Sequence, residues 1–266
     1  MSSSNDALDF RDGIIERRFR RIDFTLLVAS GKGGVGKSLV SATLAAEAAK
    51  SGLAVGLLDL DLHGPSSAAI LGVEAFPEEK EDGLVPPEAA GVKVMSVDLF
   101  VRGRPVPVCG WGKREVIKEI MALTDWGRLD LLVVDLPPGT GDEVLTAASS
   151  IRGKRGAIIV TIPSALSVKV ARRAAELLMD MGIPLIGVVE NMAGLRVGSE
   201  EVRPFGRGEA ERLASELGIP LLGSLPIDPA ASSAADASDV DSLLKSEFAA
   251  AVRRVLECIR SVMEAK

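Results

Sequence analysis

The sequence predicts a single α/β domain, a mostly parallel twisted sheet of about seven or eight strands with helices on both faces. Three observations predict it. Short apolar runs rich in β-branched residues alternate with helix-favouring segments from Phe24 onward. A glycine-rich loop, Ser30-Gly31-Lys32-Gly33-Gly34-Val35-Gly36-Lys37-Ser38, stands between the first strand and the first long helix. Later strands end in aspartate, at the edge where open α/β sheets hold their ligands. A length of 266 residues with 47% hydrophobic content is enough for one large core.

Taken in order, residues 1–22 read as a basic arm, with Arg11, Arg17, Arg18, Arg20 and Arg21 set among Ile14, Ile15 and Phe19. This pattern suits a helix packed on the domain better than a membrane or nucleic-acid contact. The domain proper spans 23–266. Its strands are expected at 24–29, 54–60, 92–97, 130–135, 156–161, 183–189 and 220–225. Helices are expected near 37–51, 65–71, 112–124, 142–150, 165–181, 206–217 and 241–264. Residues 74–91, rich in Glu, Pro and Gly, read as a surface excursion. The last helix aligns Phe248, Val252, Val255, Leu256, Ile259, Val262 and Met263 on one face. Its opposite face mixes Arg253, Arg254 and Arg260 with Glu257 and Glu264, which fits docking onto the domain rather than a membrane surface.

Composition excludes several classes of function. A net charge of −6 gives no global attraction for nucleic acid or anionic lipid. Aromatic residues are 3% of the chain and tyrosine is absent, so base-stacking platforms are not expected. No apolar run approaches the ~18–20 residues of a membrane span, and the polar start does not read as a signal peptide. A cytoplasmic protein is expected. Cys109 and Cys258 make no disulfide framework, and each is expected to be buried and inert. Glutamine is absent and Asn5 and Asn191 are the only asparagines, a depletion expected of a thermophilic source.

The glycine loop fits G-x-x-x-x-G-K-[ST], a phosphate cradle. Glycines let the backbone wrap an anion so that successive N–H groups point at it. In such a loop Lys37 reaches the β- and γ-phosphates and the Ser38 hydroxyl ligates Mg²⁺. Strand, loop and helix N-terminus come in the order that phosphate binding requires. Lys32 has no task in the ordinary form of the loop, and a second subunit gives the best reason for it. After the second strand, Asp59 and Asp61 stand at i, i+2 in Leu58-Asp59-Leu60-Asp61-Leu62-His63-Gly64-Pro65-Ser66. One can organise Mg²⁺ through water while the other orients the attacking water. Asp135 ends the fourth strand and fits the carboxylate that holds a Mg²⁺-bound water. The Pro137-Pro138-Gly139-Thr140-Gly141 turn after it can sense a terminal phosphate and relay that state. His63, the only histidine, is assigned no role, because phosphoryl transfer to water needs none.

The segments GKGGVGKS, LLDLDLHGPS, DLPPGTGD, GVVENM and LPIDP, in this order and spacing, resemble the Mrp/ApbC family, in the ParA/MinD branch of deviant-Walker P-loop ATPases. The likeness runs from about Asp23 to about Asp239, and the HGPS and PPGTGD pair points to Mrp. The resemblance implies a low-turnover ATPase that binds ATP or ADP with Mg²⁺. It also implies a homodimer with nucleotide at the interface, and transfer of iron–sulfur clusters to apoprotein or scaffold clients. By the same resemblance Gly33, Gly34, Val35, Gly36, Lys37 and Ser38, with Leu39 behind them, cradle the nucleotide. Lys32 reaches the partner's nucleotide, Asp61 positions the attacking water, and Ser38, Asp59 and Asp135 serve the metal. Asn191 recognises adenine and the Pro226 region closes the base pocket. The competing expectation is a ParA/MinD-like switch acting on DNA or membrane; the missing basic patch and the mixed-charge last helix weigh against it. One element departs from the resemblance. Cluster-binding members carry a Cys-x-x-Cys pair in the interval that here reads 193–203, where Val197 and Glu200 stand instead. Neither replaces a thiolate, so no iron–sulfur cluster is expected on this chain's own cysteines.

Overall fold

The computed structural model describes residues 9–101 and 112–265. Helix α1 (Phe10–Phe19) leads into β1 (Ile22–Ala29), the glycine loop and α2 (Lys37–Lys50). Strand β2 (Val55–Asp59) and the single turn α3 (Ser67–Ile70) precede a small hairpin, β3 (Glu78–Lys80) and β4 (Gly83–Val85). Next come β5 (Glu88–Ala89), β6 (Val92–Ser96), α4 (Asp98–Val101) and α5 (Lys113–Leu123). They are followed by β7 (Leu129–Asp135), α6 (Asp142–Ser150), β8 (Arg155–Thr161), α7 (Ala165–Asp180) and β9 (Leu185–Glu190). A second hairpin, β10 (Leu195–Val197) and β11 (Glu200–Val202), precedes α8 (Glu209–Leu217) and β12 (Leu221–Ser224). Helices α9 (Pro229–Asp236), α10 (Val240–Leu243) and α11 (Glu247–Glu264) follow.

Eight strands form one sheet in the order β12-β9-β8-β1-β7-β2-β6-β5. Every pair is parallel except β5 with β6. All seven expected strands lie in this sheet, and the eighth, β5, comes from the 74–91 excursion, which also supplies the β3–β4 hairpin. The central strands are buried on both faces, as their continuous apolar runs require. One face is covered by residues of α2, α3, α9 and α11, and the other by residues of α1, α5, α6, α7 and α8. Ile15 and Phe19 are fully buried in the second of these cores, so the basic segment packs as a helix of the domain.

The strand order positions the site. Strand β7 is inserted between β1 and β2, with Asp135 in register with Val28 on one side and Asp59 on the other. The last residue of β7 therefore emerges beside the strand that feeds the glycine loop. It also emerges beside the strand that feeds the Asp61 loop.

The C-terminal region differs from the helix expected at 241–264. The helix ends at Leu243, and Ser246 caps a new one by accepting the Ala249 N–H at 3.0 Å. Helix α9 was not anticipated. Asp228 caps it, accepting from Ala230 and Ala231, with Pro229 at the first helical position. Asp228 also accepts the Phe248 N–H at 3.1 Å and so joins the starts of α9 and α11. The apolar face of α11 buries Phe248, Val252, Val255, Leu256 and Ile259, with Met263 half-buried, whereas Val262, expected on that face, is exposed. Arg253 on its polar side forks onto buried Glu47 of α2 at 2.7 and 2.9 Å. Cys258 corrects an expectation: it is exposed, because it falls on the polar face of α11. Cys109 lies outside the described residues.

Candidate nucleotide-binding site

The glycine loop turns into α2 at Gly36, whose φ of 79° only glycine adopts without strain. A Cβ there would also sit 2.3 Å from the Asn191 amide nitrogen. At Gly31 the constraint is proximity instead, since a Cβ would lie 2.2 Å from the Val170 backbone of α7. Gly33 and Gly34 face open space, which leaves their backbone free to approach a phosphate. Helix α2 starts with no side-chain cap and no acid in its first turn. Its unpaired N–H groups and positive dipole end are thus turned toward the loop's concavity.

Asp135 gathers the polar groups beneath that concavity. Its Oδ1 accepts from Lys37 Nζ at 2.6 Å and Ser41 Oγ at 2.9 Å. Its Oδ2 accepts from Ser38 Oγ at 2.6 Å and Ser67 Oγ at 3.3 Å. The carboxylate is fully buried and Lys37 nearly so, so each charge depends on the other for compensation. Lys37, Ser38 and Ser41 reach it together because they share one face of α2. Ser41 and Ser67 were missed by sequence reasoning, although the i, i+4 spacing of Ser41 from Lys37 was a usable signal.

Asp59 is equally buried and takes backbone donors. Its Oδ1 accepts from Asp61 N at 3.0 Å, and its Oδ2 accepts from Ser66 N and Ser67 N at 3.1 and 3.0 Å. Burial, and then the neighbouring Asp135 charge, push its carboxyl up from the usual 3.8 to about 7, against the pull of those N–H groups and of Lys37. Asp61 stands at the rim, half-buried, with Oδ1 accepting from the N–H groups of His63 and Gly64. Lys32 is half-buried in the loop, and its ammonium has no ion pair among the described residues. Val35 is buried and Leu39 packs against the core behind the cradle. The turn after Asp135 clamps the loop's start, with Gly139 N–H donating to Ser30 O at 2.8 Å.

Asn191 follows the last residue of β9, beside the loop. Its Nδ2 donates to Val35 O and its Oδ1 accepts the Met192 N–H, both at 2.9 Å, and the side chain is buried. The amide thus braces the phosphate loop. Pro226 follows β12 and lines a cleft of about 660 Å³ with Gly194, Leu195 and Ile227. That cleft is stitched to the segment after Asn191 by Ala193 N–H to Leu225 O and Ile227 N–H to Gly194 O. Of the residues singled out in the sequence, Lys37, Ser38 and Asp135 are in direct contact. Asp59 lies alongside, Asp61 and Lys32 occupy the rim, and Pro226 lies apart from them, in the cleft after β12.

The donor set fits Mg²⁺ bound with a nucleotide. Mg²⁺ takes one or two carboxylates with substrate phosphates and keeps several waters. Ser38, Asp135 and Asp59 supply hard oxygens of that number. No group of three or more His, Cys, Asp or Glu side chains suited to holding a metal by themselves occurs among the described residues. The β10–β11 hairpin supplies no thiolate for an iron–sulfur cluster. Val197 and Glu200 face each other across the β10–β11 ladder, flanking the Gly198-Ser199 turn, and carry no thiol. Cys258 is the only cysteine among the described residues.

Parallel sheet, phosphate loop and strand-end aspartates define a P-loop nucleotide-binding protein. The comparisons narrow that class. Residues 21–262 match the family model described as "ParA: NUBPL iron-transfer P-loop NTPase". The chain is 36% identical over 259 residues to an iron-sulfur cluster carrier protein of Saccharolobus solfataricus, covering 93% of this chain and 88% of that protein. It is 37% identical over 264 residues to the carrier protein of Methanocaldococcus jannaschii, covering 96% and 91%. Among solved structures it resembles an Archaeoglobus fulgidus nucleotide-binding protein in complex with ADP, with a TM-score of 0.74, 36% identity and coverage of 86% and 92%. A Pyrococcus horikoshii septum site-determining protein MinD complexed with Mg-ADP shares the fold at a TM-score of 0.63 and 22% identity, with coverage of 88% and 95%. The chain belongs to the ParA/NUBPL iron-transfer family of P-loop NTPases.

Asp59 gives the site a pH signature. Its folded-state pKa is raised, so between about pH 4 and pH 7 the native state holds a proton that the unfolded chain has released. Its contribution to stability is complete below that window and is lost as pH rises through 7. Asp59→Asn, whatever its absolute stability, should flatten the decline in urea-unfolding free energy between pH 5 and pH 8. An unchanged slope would remove Asp59 as its source.

Proposed function

We propose that this chain is an ATP-binding, slowly hydrolysing ATPase whose two copies meet across bound nucleotide, and that it works as an iron–sulfur cluster carrier or assembly factor without a bridging cluster of its own. One observation carries the nucleotide reading: Lys37, Ser38 and Asp135 converge at the uncapped N-terminus of a long helix. Lys37 exchanges the Asp135 carboxylate for phosphate oxygens. Ser38, Asp135 and Asp59 hold Mg²⁺ directly or through water. The ion, when bound, neutralises phosphate charge. Asp61 accepts a hydrogen bond from the attacking water and so aims it. Asn191 keeps the phosphate loop in place and, with the Pro226 cleft, bounds the adenine.

The dimer reading is supported by Lys32. A half-buried ammonium in a phosphate loop, without an anionic partner among the described residues, is suited to a phosphate supplied across an interface. Two copies then meet only when nucleotide neutralises the cations facing each other. The family's carriers support cluster transfer as the task. With Val197 and Glu200 at the hairpin, thiols come from a client or scaffold protein. No helix among the described residues is long and apolar enough to cross a membrane. The cytoplasm is the compartment we assign.

Lys32→Ala should abolish ATP-induced dimerisation, measured by light scattering after size exclusion, while leaving ATP binding to the monomer largely intact. A variant dimer that persists in ATP would sink the contact in trans. Anaerobic reconstitution with iron and sulfide should yield no stoichiometric [4Fe–4S] cluster by absorbance and iron counting. A stoichiometric cluster would overturn the assignment of cluster thiols to a partner.

A further inference from the structure

Lys113 opens α5, where a cation opposes the helix dipole and no side chain caps the turn. Its placement therefore needs compensation, and two side chains supply it. Lys113 Nζ lies 2.6 Å from Glu143 Oε1 and 2.8 Å from His63 Nε2. One ammonium thus contacts a carboxylate oxygen and a ring nitrogen at once. Glu143 is mostly buried in the first turn of α6, and Lys113 holds its carboxyl below the usual carboxylate range. Gly141 leaves room for this, since a Cβ there would come 2.8 Å from Glu143 Oε2.

These three residues tie together the two segments that carry the site's aspartates. His63 belongs to the loop after β2, and its backbone N–H donates to Asp61 Oδ1 at 3.1 Å. Glu143 follows directly on the turn after Asp135. The loop is tied at both ends to Asp59, through the N–H groups of Asp61, Ser66 and Ser67, but its His63-Gly64 tip is exposed, and among the described residues the His63 ring meets no side chain but Lys113. We propose that Lys113 is a positioning residue for hydrolysis: by bridging Glu143 and His63 it holds the Asp61 turn in fixed relation to the turn that follows Asp135. His63, unassigned from the sequence, becomes the hook by which the Asp61 loop is held. The proposal rests on Asp61 aiming the attacking water.

Misplacement of a group that orients a reactant lowers turnover without weakening substrate binding. Lys113→Ala should reduce kcat for Mg²⁺-ATP about tenfold while KM moves less than about twofold. Amide hydrogen exchange at His63 and Gly64, measured without nucleotide, should speed up in the same variant. Lys113→Arg should restore most of both. The double variant Lys113→Ala/Glu143→Gln should be no slower than either single one, because both break one bridge. If Lys113→Ala fails to fold, Glu143→Gln carries the same test. Wild-type kcat and wild-type exchange in Lys113→Ala, with Asp61→Ala inactive, would overturn the positioning role alone. Full turnover in Asp61→Ala would overturn the reading beneath it, and the proposal with it.

Discussion

The buried ion pair between Lys37 and Asp135 is the constraint on which the rest of the structure depends. Two opposite charges in a nearly dry pocket are tolerable only when each is compensated and its remaining hydrogen-bonding capacity is used. Asp135 meets that demand with three hydroxyls, from Ser38, Ser41 and Ser67, besides the ammonium. Satisfying it fixes the orientation of α2, the end of β7 and the start of α3 relative to one another. The glycine loop is then held by its two ends, at Asp135 through α2 and at Gly139 through Ser30.

In the function we propose, the same arrangement lets the site respond to a ligand. A phosphate offers Lys37 the negative charge that Asp135 now provides, and Mg²⁺ offers Asp135 the positive charge that Lys37 now provides. Binding can thus exchange partners within one pocket without leaving a buried charge alone. Asp59 adds a second carboxylate one strand away, raised by burial and by Asp135, which a cation would favour in its ionised form. The turns that follow Asp59 and Asp135 start from these two carboxylates and lead to the rim of the pocket.

Much of this was legible in the sequence, for identifiable reasons. The parallel strands are continuous apolar runs, and each expected one lies in the sheet. The loop motif and the strand-end aspartate were both legible in residue patterns, but the contacts of Lys37 and Ser38 with Asp135 were not. Other features were hidden by physics that residue patterns do not express. Helix α9 is built from alanine and serine and lacks an apolar stripe, although Asp228-Pro229 was a start signal. The break at Leu244–Ser246 interrupts a segment whose apolar spacing reads as one helix. The exposure of Cys258 depends on which face of α11 docks. Ser67, Lys113 and Glu143 reach the site only through tertiary placement, since Lys113 and His63 are 50 residues apart in sequence.

The most direct test of partner exchange at Asp135 is calorimetric titration of Asp135→Asn with ATP, with and without Mg²⁺. If Asp135 serves the metal and releases Lys37 to phosphate, Mg²⁺-ATP affinity falls by about 10–100-fold, while ATP without Mg²⁺ binds as tightly as to the unsubstituted protein or more tightly. Equal weakening of both would contradict the account and leave Asp135 as a scaffold for the loop alone.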